Sequence, residues 1–205
     1  MVGFGSLGKQ ILSHLAATKA YAPILFFDDP SHLKKSPNSF PFDAFLDKRH
    51  ADGEFFVALG YKHLATKKHI LQTLQDHNRK ILSFVHPTSF VHATAKIGVG
   101  CFLFPLCSLD LCAELEDGVL LHNSVVVSHE SKIQACCYLS PGVVVSGRVK
   151  LGRSCFIGSG SVLANGITLG NHVRIGMATA VTRDVPSECS AIGNPMKILS
   201  KKLKI

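Results

Sequence analysis

The sequence lacks the features that mark several large classes of protein. It has no tryptophan, no cysteine pair at CxxC spacing and no apolar run approaching about 18 residues. The missing apolar run argues against a membrane-spanning helix, and the missing cysteine pairs leave a structural zinc site with little support. The opening residues, MVGFGSLGKQ, do not follow the charged-then-apolar order of a signal peptide. We therefore expect a cytoplasmic protein whose seven cysteines are reduced.

Charged residues are also scarce, at 18% of the chain, whereas 46% of its 205 residues are apolar. This balance favours a packed protein over a disordered one. The formal net charge of +8 predicts acidic partners. The basic residues are scattered, and only the tail KILSKKLKI (197–205) is dense in them. We expect small phosphorylated ligands, with no nucleic acid, and we interpret the tail as solvated.

What the sequence does contain is a repeat of six residues. From Val91 to Val181 every sixth residue is valine, leucine or isoleucine, sixteen times without a gap. The residue four places after each of them is small or β-branched. A period of six is typical of short strands joined by tight corners, with one large and one small side chain pointing inward. Three such sides close a coil of 18 residues, so the sixteen hexads predict about five stacked coils.

Four of the seven cysteines fall on the small inward positions of this repeat. They are Cys101, Cys107, Cys137 and Cys155. Because free cysteine packs well as a small apolar residue, the repeat predicts a packing role for them.

The first ninety residues follow a different pattern. GFGSLG fits GxGxxG at Gly3, Gly5 and Gly8, and a helical stretch runs from Lys9 to about Thr18. The predicted strand PILFFDD (23–29) places Asp28 twenty residues after Gly8. This spacing is typical of a nucleotide-binding βαβ unit, in which glycines let the backbone approach phosphate. A tight turn without a ligand is the alternative.

Further elements complete this part of the chain. EFFVALG (54–60) predicts a strand, 61–78 an amphipathic helix, and ILSFVHP (81–87) a fourth strand. The first strand would comprise only Met1 and Val2, which suggests that the chain starts late. We predict a Rossmann-like α/β domain over 1–87 that binds a nucleotide, followed by a repeat domain over 88–205.

The repeat is accompanied by three characteristic segments, LGRSCFIGSGSVL (151–163), IGMATAVTRDVP (175–186) and AIGNPMKIL (191–199). Together they resemble the hexapeptide-repeat acyltransferases. The resemblance implies a left-handed parallel β-helix, a homotrimer and acetyl-CoA bound between subunits. With the preceding α/β unit and the segments FFVALGYKHLATKKHIL and VVSHESKI, the chain is similar to nucleotide-sugar N-acetyltransferases of the bacillosamine and perosamine type, which are related to sialic acid O-acetyltransferases.

This resemblance implies transfer of acetyl from acetyl-CoA to the amine of a nucleotide-linked 4-amino-deoxy sugar, in bacterial surface glycan biosynthesis and without a metal. It implies that His129 and Glu130 are catalytic. The implied substrate-binding residues are Gly5, Ser6, Leu7, Asp28, Asp29 and Gly60. The implied cofactor-binding residues include Tyr138, Ser159, Gly176 and Met177.

The position of His129 in the repeat supports a chemical role. His129 occupies neither inward position of its hexad, so its side chain should face outward. Imidazole can take a proton from the attacking amine as a general base, and a neighbouring carboxylate favours the imidazolium that results. One coil after His129 comes Gly147, and Asn165 follows one coil later. Gly147 would leave room for the pantetheine arm, and its N–H is a candidate donor to the oxyanion; a plain corner residue is the alternative.

The chain departs from the family at two positions. Tyr138 stands where relatives often have a second histidine. Gln134 stands where the hexad glycine is expected, which predicts a less ideal corner.

Three other functions compete with the amino-sugar acetyltransferase. A zinc enzyme like the γ-class carbonic anhydrases would use His122, His129 and His172, but their spacing does not match that class. A non-catalytic nucleotide-binding β-helix is the second alternative, and a sugar O-acetyltransferase of the sialic acid type is the third. A nucleotide-binding loop is most useful to an enzyme whose acceptor carries a nucleotide, which favours the amino sugar.

Overall fold

The computed structural model describes residues 1–18, 25–29 and 38–199. The chain divides into two compact units, Met1–Leu82 and Ser83–Ile205. Part of the predicted strand 23–29 and most of the basic tail lie outside the described residues. Among the described residues, none of the helices has the length and apolar character needed to cross a membrane.

The second unit is a parallel β-solenoid built from three sheets. Strands 18 residues apart pair in register, as Val126 does with Ser108 and Val144. Sheet I contains β5 (Phe84–Val85), β8 (Phe102–Leu103), β11 (Leu120–Leu121), β14 (Tyr138–Leu139), β17 (Phe156–Ile157), β20 (Arg174–Ile175), β22 (Ser190–Ile192) and the antiparallel β23 (Lys197–Leu199). Sheet II contains β6 (Phe90–Val91), β9 (Ser108–Leu109), β12 (Val126–Val127), β15 (Val144–Val145), β18 (Val162–Leu163) and β21 (Ala180–Val181). Sheet III contains β7 (Lys96–Ile97), β10 (Glu114–Leu115), β13 (Lys132–Ile133), β16 (Lys150–Leu151) and β19 (Thr168–Leu169).

The solenoid has about six turns, one more than the hexad count predicts. The difference arises because β5 precedes the first predicted hexad and β22 follows the last, and both pair into sheet I.

The core confirms the predicted pair of inward positions. The large and small hexad residues form one continuous cluster, in which only those of the first coil, such as Val91, Ala95 and Ile97, are partly exposed. Each fully buried aliphatic side chain contributes about 1.5–3 kcal/mol to folding. The four cysteines predicted to pack inward are all buried. Burial raises the pKa of the Cys107 thiol to about 11 and that of Cys137 well above its usual value.

Every corner from Gly100 to Ala178 contains a residue in the left-handed region of backbone space. Glu130 has φ of +58°, and the equivalent residues one hexad later and two hexads earlier, Cys136 and Gly118, have φ of +58° and +70°. Gln134 does not occupy this position and does not have a positive φ. The left-handed residue of the corner after Gln134 is Cys136, so the expectation of a less ideal corner there stays a prediction.

Within its described residues, the first unit contains two helices and four short strands. They are α1 (Ser6–Ala17), β1 (Phe26–Asp28), β2 (Ser39–Pro41), β3 (Glu54–Phe55), α2 (Leu64–Asp76) and β4 (Lys80–Ile81), with 3₁₀ turns at Phe42–Leu46, Lys48–His50 and Tyr61–His63. The strands pair in parallel, β1 with β2 and β3 with β4. Val2 forms parallel bridges to Phe27 and Val57. With strands of two or three residues, this unit is much less regular than the predicted Rossmann-like domain.

The predicted strand 81–87 is wrong as a single element. The N–H of Leu82 donates to Phe55 O in the first unit, whereas the N–H of Phe84 donates to Cys101 O in the solenoid. The segment therefore ends one sheet and begins another.

Candidate functional site

A glycine loop leads into α1 and shapes the first candidate site. Gly3 has φ of +92°, and a Cβ on Gly8 would lie 2.4 Å from Gly3 O, so both positions require glycine. Gly5 caps α1 without a side-chain hydrogen bond, and a Cβ there would meet nothing within 4 Å. The first N–H groups of a helix lack intrahelical partners, which makes this end suited to an anionic group.

Asp28 fixes this loop to the end of β1. Its side chain is buried, and its carboxylate accepts hydrogen bonds from the N–H groups of Phe4 and Asp29, the latter at 2.7 Å. The next residue, Asp29, is exposed. Of the two predicted acidic residues, Asp28 organises the backbone, and Asp29 has its side chain accessible to a ligand.

All six predicted substrate-binding residues line one cleft of about 860 Å³. The cleft lies wholly within the first unit. Eight further residues line it that were not predicted to bind substrate, namely Gly3, Phe42, Ala58, Leu59, Tyr61, Lys62, His63 and Thr66. Gly60 could have indicated the last four, because they follow it closely along the chain and therefore lie near the same part of the cleft. Lys62 adds a cation to the cleft, which suits an anionic ligand.

The second candidate site is the histidine corner, formed by His129, Gly147 and Asn165 on successive coils after sheet II. The His129 side chain is 40% exposed, so it faces outward as predicted and is not a core residue. A Cβ on Gly147 would lie 2.4 Å from His129 Nε2 and 2.8 Å from Asn165 Oδ1. The predicted stacking of Gly147 beside the imidazole is therefore present.

The backbone does not require a glycine at position 147. Gly147 does not have a positive φ, and the same hexad position holds Val99, Leu111 and Arg153 at other corners. A side chain at position 147 would instead meet the His129 ring and displace it from its observed position. This observation weighs against the alternative of a plain corner residue.

Glu130 lies beside the histidine. Its Oε1 is 3.9 Å from His129 Nδ1, which is too long for a hydrogen bond and close enough for an ion pair with a protonated imidazole. Both side chains are partly open to solvent, at 40% and 53% exposure. The carboxylate can therefore stabilise an imidazolium, to an extent that solvent reduces.

The other predicted cofactor-binding residues lie elsewhere on the same solenoid. Tyr138 is in β14 of sheet I, where its ring stacks on Phe156 with centroids 5.9 Å apart. Ser159, Gly176 and Met177 lie at the corner after sheet I, and Met177 is 75% exposed. Sheet III separates the histidine corner from sheet I along the coil. One chain therefore does not bring these four residues together with His129.

The histidines of the zinc alternative do not converge. The His122 ring stacks on Phe104 with centroids 4.7 Å apart, and His172 Nε2 lies 4.0 Å from Glu188 Oε1. Within residues 1–18, 25–29 and 38–199, no three His, Cys, Asp or Glu side chains form a group that could hold a metal ion.

Comparison with known proteins gives no match to a family model. Several solved structures are similar over nearly the whole chain. The acetyltransferase domain of PglB from Neisseria gonorrhoeae is 27% identical, with 97% of each chain covered and a TM-score of 0.88, and it has also been solved with acetyl coenzyme A. PerB from Caulobacter crescentus, solved with CoA and GDP-perosamine, is 24% identical over 97% of this chain and 95% of that one, with a TM-score of 0.89. WeeI from Acinetobacter baumannii is 19% identical over 97% of each chain, with a TM-score of 0.86.

These similarities cover both units and the whole repeat. They agree with the resemblance of the hexads and motifs to hexapeptide-repeat acyltransferases. The chain is a β-solenoid protein of the type found in the hexapeptide-repeat sugar acetyltransferases.

Proposed function

We propose that this protein transfers the acetyl group of acetyl-CoA to the amine of a nucleotide-linked 4-amino-deoxy sugar, with His129 as the general base. The observation that carries the proposal is the histidine corner, where an outward imidazole lies against a glycine that the backbone itself does not require. An exposed base that can take a proton from the attacking amine is what transfer from a thioester needs.

The proposed reaction needs few groups because the thioester is already activated. The acceptor nitrogen attacks the carbonyl carbon and the C=O π electrons move to oxygen, while His129 removes a proton from the nitrogen. The tetrahedral intermediate then re-forms C=O and breaks the C–S bond, and the CoA sulfur leaves with its electron pair and takes a proton. The N–H of Gly147 is the proposed donor to the transient oxyanion. Within the described residues, this N–H has no intramolecular acceptor.

The cleft of the first unit is the proposed acceptor site. Its open helix N-terminus, exposed Asp29 and Lys62 are suited to the diphosphate and the polar groups of a nucleotide sugar. The similarity to the PglB domain, which has been solved with acetyl coenzyme A, supports acetyl-CoA as the donor. The predicted domains over 1–87 and 88–205 would then bind the acceptor and carry out the transfer.

The last part of the proposal is that the protein forms a homotrimer of left-handed β-helices. Tyr138, Ser159, Gly176 and Met177 lie on a different face and corner of the chain from His129. They can contribute to the same cofactor site if that site combines His129 of one chain with sheet I of a second copy. The outer face of sheet II, which carries no charged residue at its central outward position, is the surface that would be covered. The residues at that position are Phe90, Ser108, Val126, Val144, Val162 and Ala180.

The test is a screen of acceptors with acetyl-CoA, following release of the CoA thiol. UDP-, dTDP- and GDP-linked 4-amino sugars are compared with the matching 4-hydroxy sugars and with free sialic acid. Thiol release that depends on the amine confirms the proposal. Release with a hydroxyl acceptor alone would identify an O-acetyltransferase, and no release with any acceptor would favour a non-catalytic nucleotide-binding protein.

A further inference from the structure

A buried hydroxyl lies directly beneath the histidine corner. Ser131 is fully buried at a small inward position of the solenoid. Its Oγ donates to Ser146 O at 2.8 Å and accepts from the N–H of Val149 at 3.0 Å. Both bonds connect one coil to the next, and they leave the hydroxyl proton committed to the Ser146 carbonyl.

This bond fixes the orientation of the peptide between Ser146 and Gly147. The peptide is trans, since the only cis bond among the described residues is Asn194–Pro195. In a planar trans peptide the C=O and the N–H point in opposite directions. Because Ser131 holds the Ser146 carbonyl toward the core, the N–H of Gly147 points away from the core, on the side where His129 lies.

Inward Ser and Cys residues make the same bond at other corners. The thiol of Cys155 donates to Gly170 O at 3.2 Å, and the next N–H, that of Asn171, donates to Ser187 Oγ at 2.9 Å. Ser83 Oγ donates to Gly98 O at 2.8 Å, and the following N–H of Val99 donates to Asp117 Oδ1 at 2.9 Å. At those two corners a side chain uses the outward N–H. No described residue accepts from the outward N–H of Gly147, nor from that of Met177, which follows the equivalent bond from Ser161 Oγ to Gly176 O at 2.8 Å.

We propose that Ser131 is a positioning residue, whose buried hydroxyl aligns the Gly147 N–H with the oxyanion formed during acetyl transfer. This inference rests on the proposed acetyltransferase function. A preorganised N–H stabilises charge that exists only in the transition state, so its alignment acts on kcat and not on substrate binding. Ser131 itself touches neither substrate.

The test compares Ser131→Ala and Ser131→Cys with the control Ser83→Ala. Removing an oxyanion donor costs about 10²–10³-fold in kcat, so a misaligned one should cost about tenfold or more. We expect that loss for Ser131→Ala, with both KM values within about twofold of wild type. Ser131→Cys should recover most of the loss, because the Cys137 thiol makes the equivalent bond to Gly152 O at 3.0 Å.

Ser83→Ala is matched because Ser83 makes the same two bonds, to Gly98 O at 2.8 Å and from the N–H of Cys101 at 3.0 Å. Both alanine variants lose a pair of hydrogen bonds and should have a lower melting temperature. Only Ser131→Ala should have a lower kcat when both variants are assayed fully folded. Equal kcat in the two alanine variants would overturn the positioning role of Ser131. In that case an inactive His129→Ala variant, assayed alongside, would still support the acetyltransferase function. Failure of the wild-type protein to transfer acetyl to any acceptor would instead overturn both.

Discussion

His129 is the side chain on which the proposed chemistry depends most. We expect His129→Ala to lower kcat by about 10²–10⁴-fold, the usual contribution of a positioned proton transfer. The variant should fold normally and bind acetyl-CoA, because the imidazole is 40% exposed and is not part of the core. Measuring kcat and melting temperature on the same preparation separates the roles. A stable and fully active variant would exclude His129 as the base.

Glu130→Gln is the companion substitution. The carboxylate lies 3.9 Å from the imidazole without a hydrogen bond and is half exposed, so its loss should reduce kcat less than the loss of His129 does. A larger effect than that of His129→Ala would contradict the assignment of roles.

Gly147→Ala tests the space beside the imidazole. The added Cβ would lie 2.4 Å from His129 Nε2, so the ring must move away from the position proposed for catalysis. Because the backbone there accepts any residue, we expect a loss in kcat of about 10²-fold with little change in thermal stability. In a double-mutant cycle, Gly147→Ala should add little to the loss caused by His129→Ala, since both act through the same ring. Additive losses would show that Gly147 acts independently of His129.

At this scale, the repeat makes some residues predictable and leaves others hidden. The outward direction of His129 and its proximity to Gly147 follow from the periods of six and 18, because the inward positions are fixed by burial. The role of Asp28 in holding the N–H of Phe4 could not be read from the sequence, since it depends on how closely the loop approaches the end of β1. The bond from Ser131 to Ser146 is hidden for the same reason: a small inward residue predicts packing, not the acceptor of its proton.

The glycine loop and α1 form the element that should distinguish the acceptor from the donor. We expect Gly5→Leu to raise KM for the sugar nucleotide about tenfold or more, equivalent to at least about 1.4 kcal/mol of binding. The new side chain would enter the cleft, since a Cβ at Gly5 meets nothing within 4 Å. KM for acetyl-CoA should change little. Equal effects on the two KM values would mean that the first unit does not bind the acceptor.

Gly8→Ala is the matched control in the same loop. Its Cβ would lie 2.4 Å from Gly3 O, so this variant should lose stability, which a lower melting temperature would report. Gly5→Leu should cost no more than about 1 kcal/mol of stability, the usual effect of a poorer N-cap.

The two units differ in how well their elements can be predicted. Sixteen consecutive hexads fix strand positions and register in the solenoid, because each position is determined by burial in a continuous core. The first unit has no such periodicity, and its strands of two or three residues are too short to carry a clear alternation. The prediction of a single strand over 81–87 was wrong for this reason. Apolar residues lie on both sides of Ser83, although the hydrogen bonds change from the first unit to the second between Leu82 and Phe84.

At the scale of the whole molecule, the proposed cofactor site would require a second copy of the chain. Tyr138 and Met177 are on sheet I and its following corner, whereas His129 follows sheet II. The family resemblance alone suggested that these residues share a site, because neither the period nor the fold of one chain brings them together. The proposed assembly through sheet II would supply that second copy.

Val162→Lys should dissociate the trimer and thereby abolish activity. Val162 is 45% exposed at the central outward position of sheet II, where no charged residue occurs in six successive strands. If this face is covered in a trimer, the substitution buries one ammonium per subunit at a cost of several kcal/mol each. We expect light scattering at micromolar concentration to show a trimer for the wild type and a monomer for Val162→Lys, with activity lost in parallel.

Thr168→Lys is the control, since it places the same side chain at the same hexad position on sheet III, whose outward residues Lys132 and Lys150 are already charged. This variant should stay trimeric and active. A trimeric, active Val162→Lys protein would exclude sheet II from the interface, and a monomeric, active wild type would show that one chain suffices for the site.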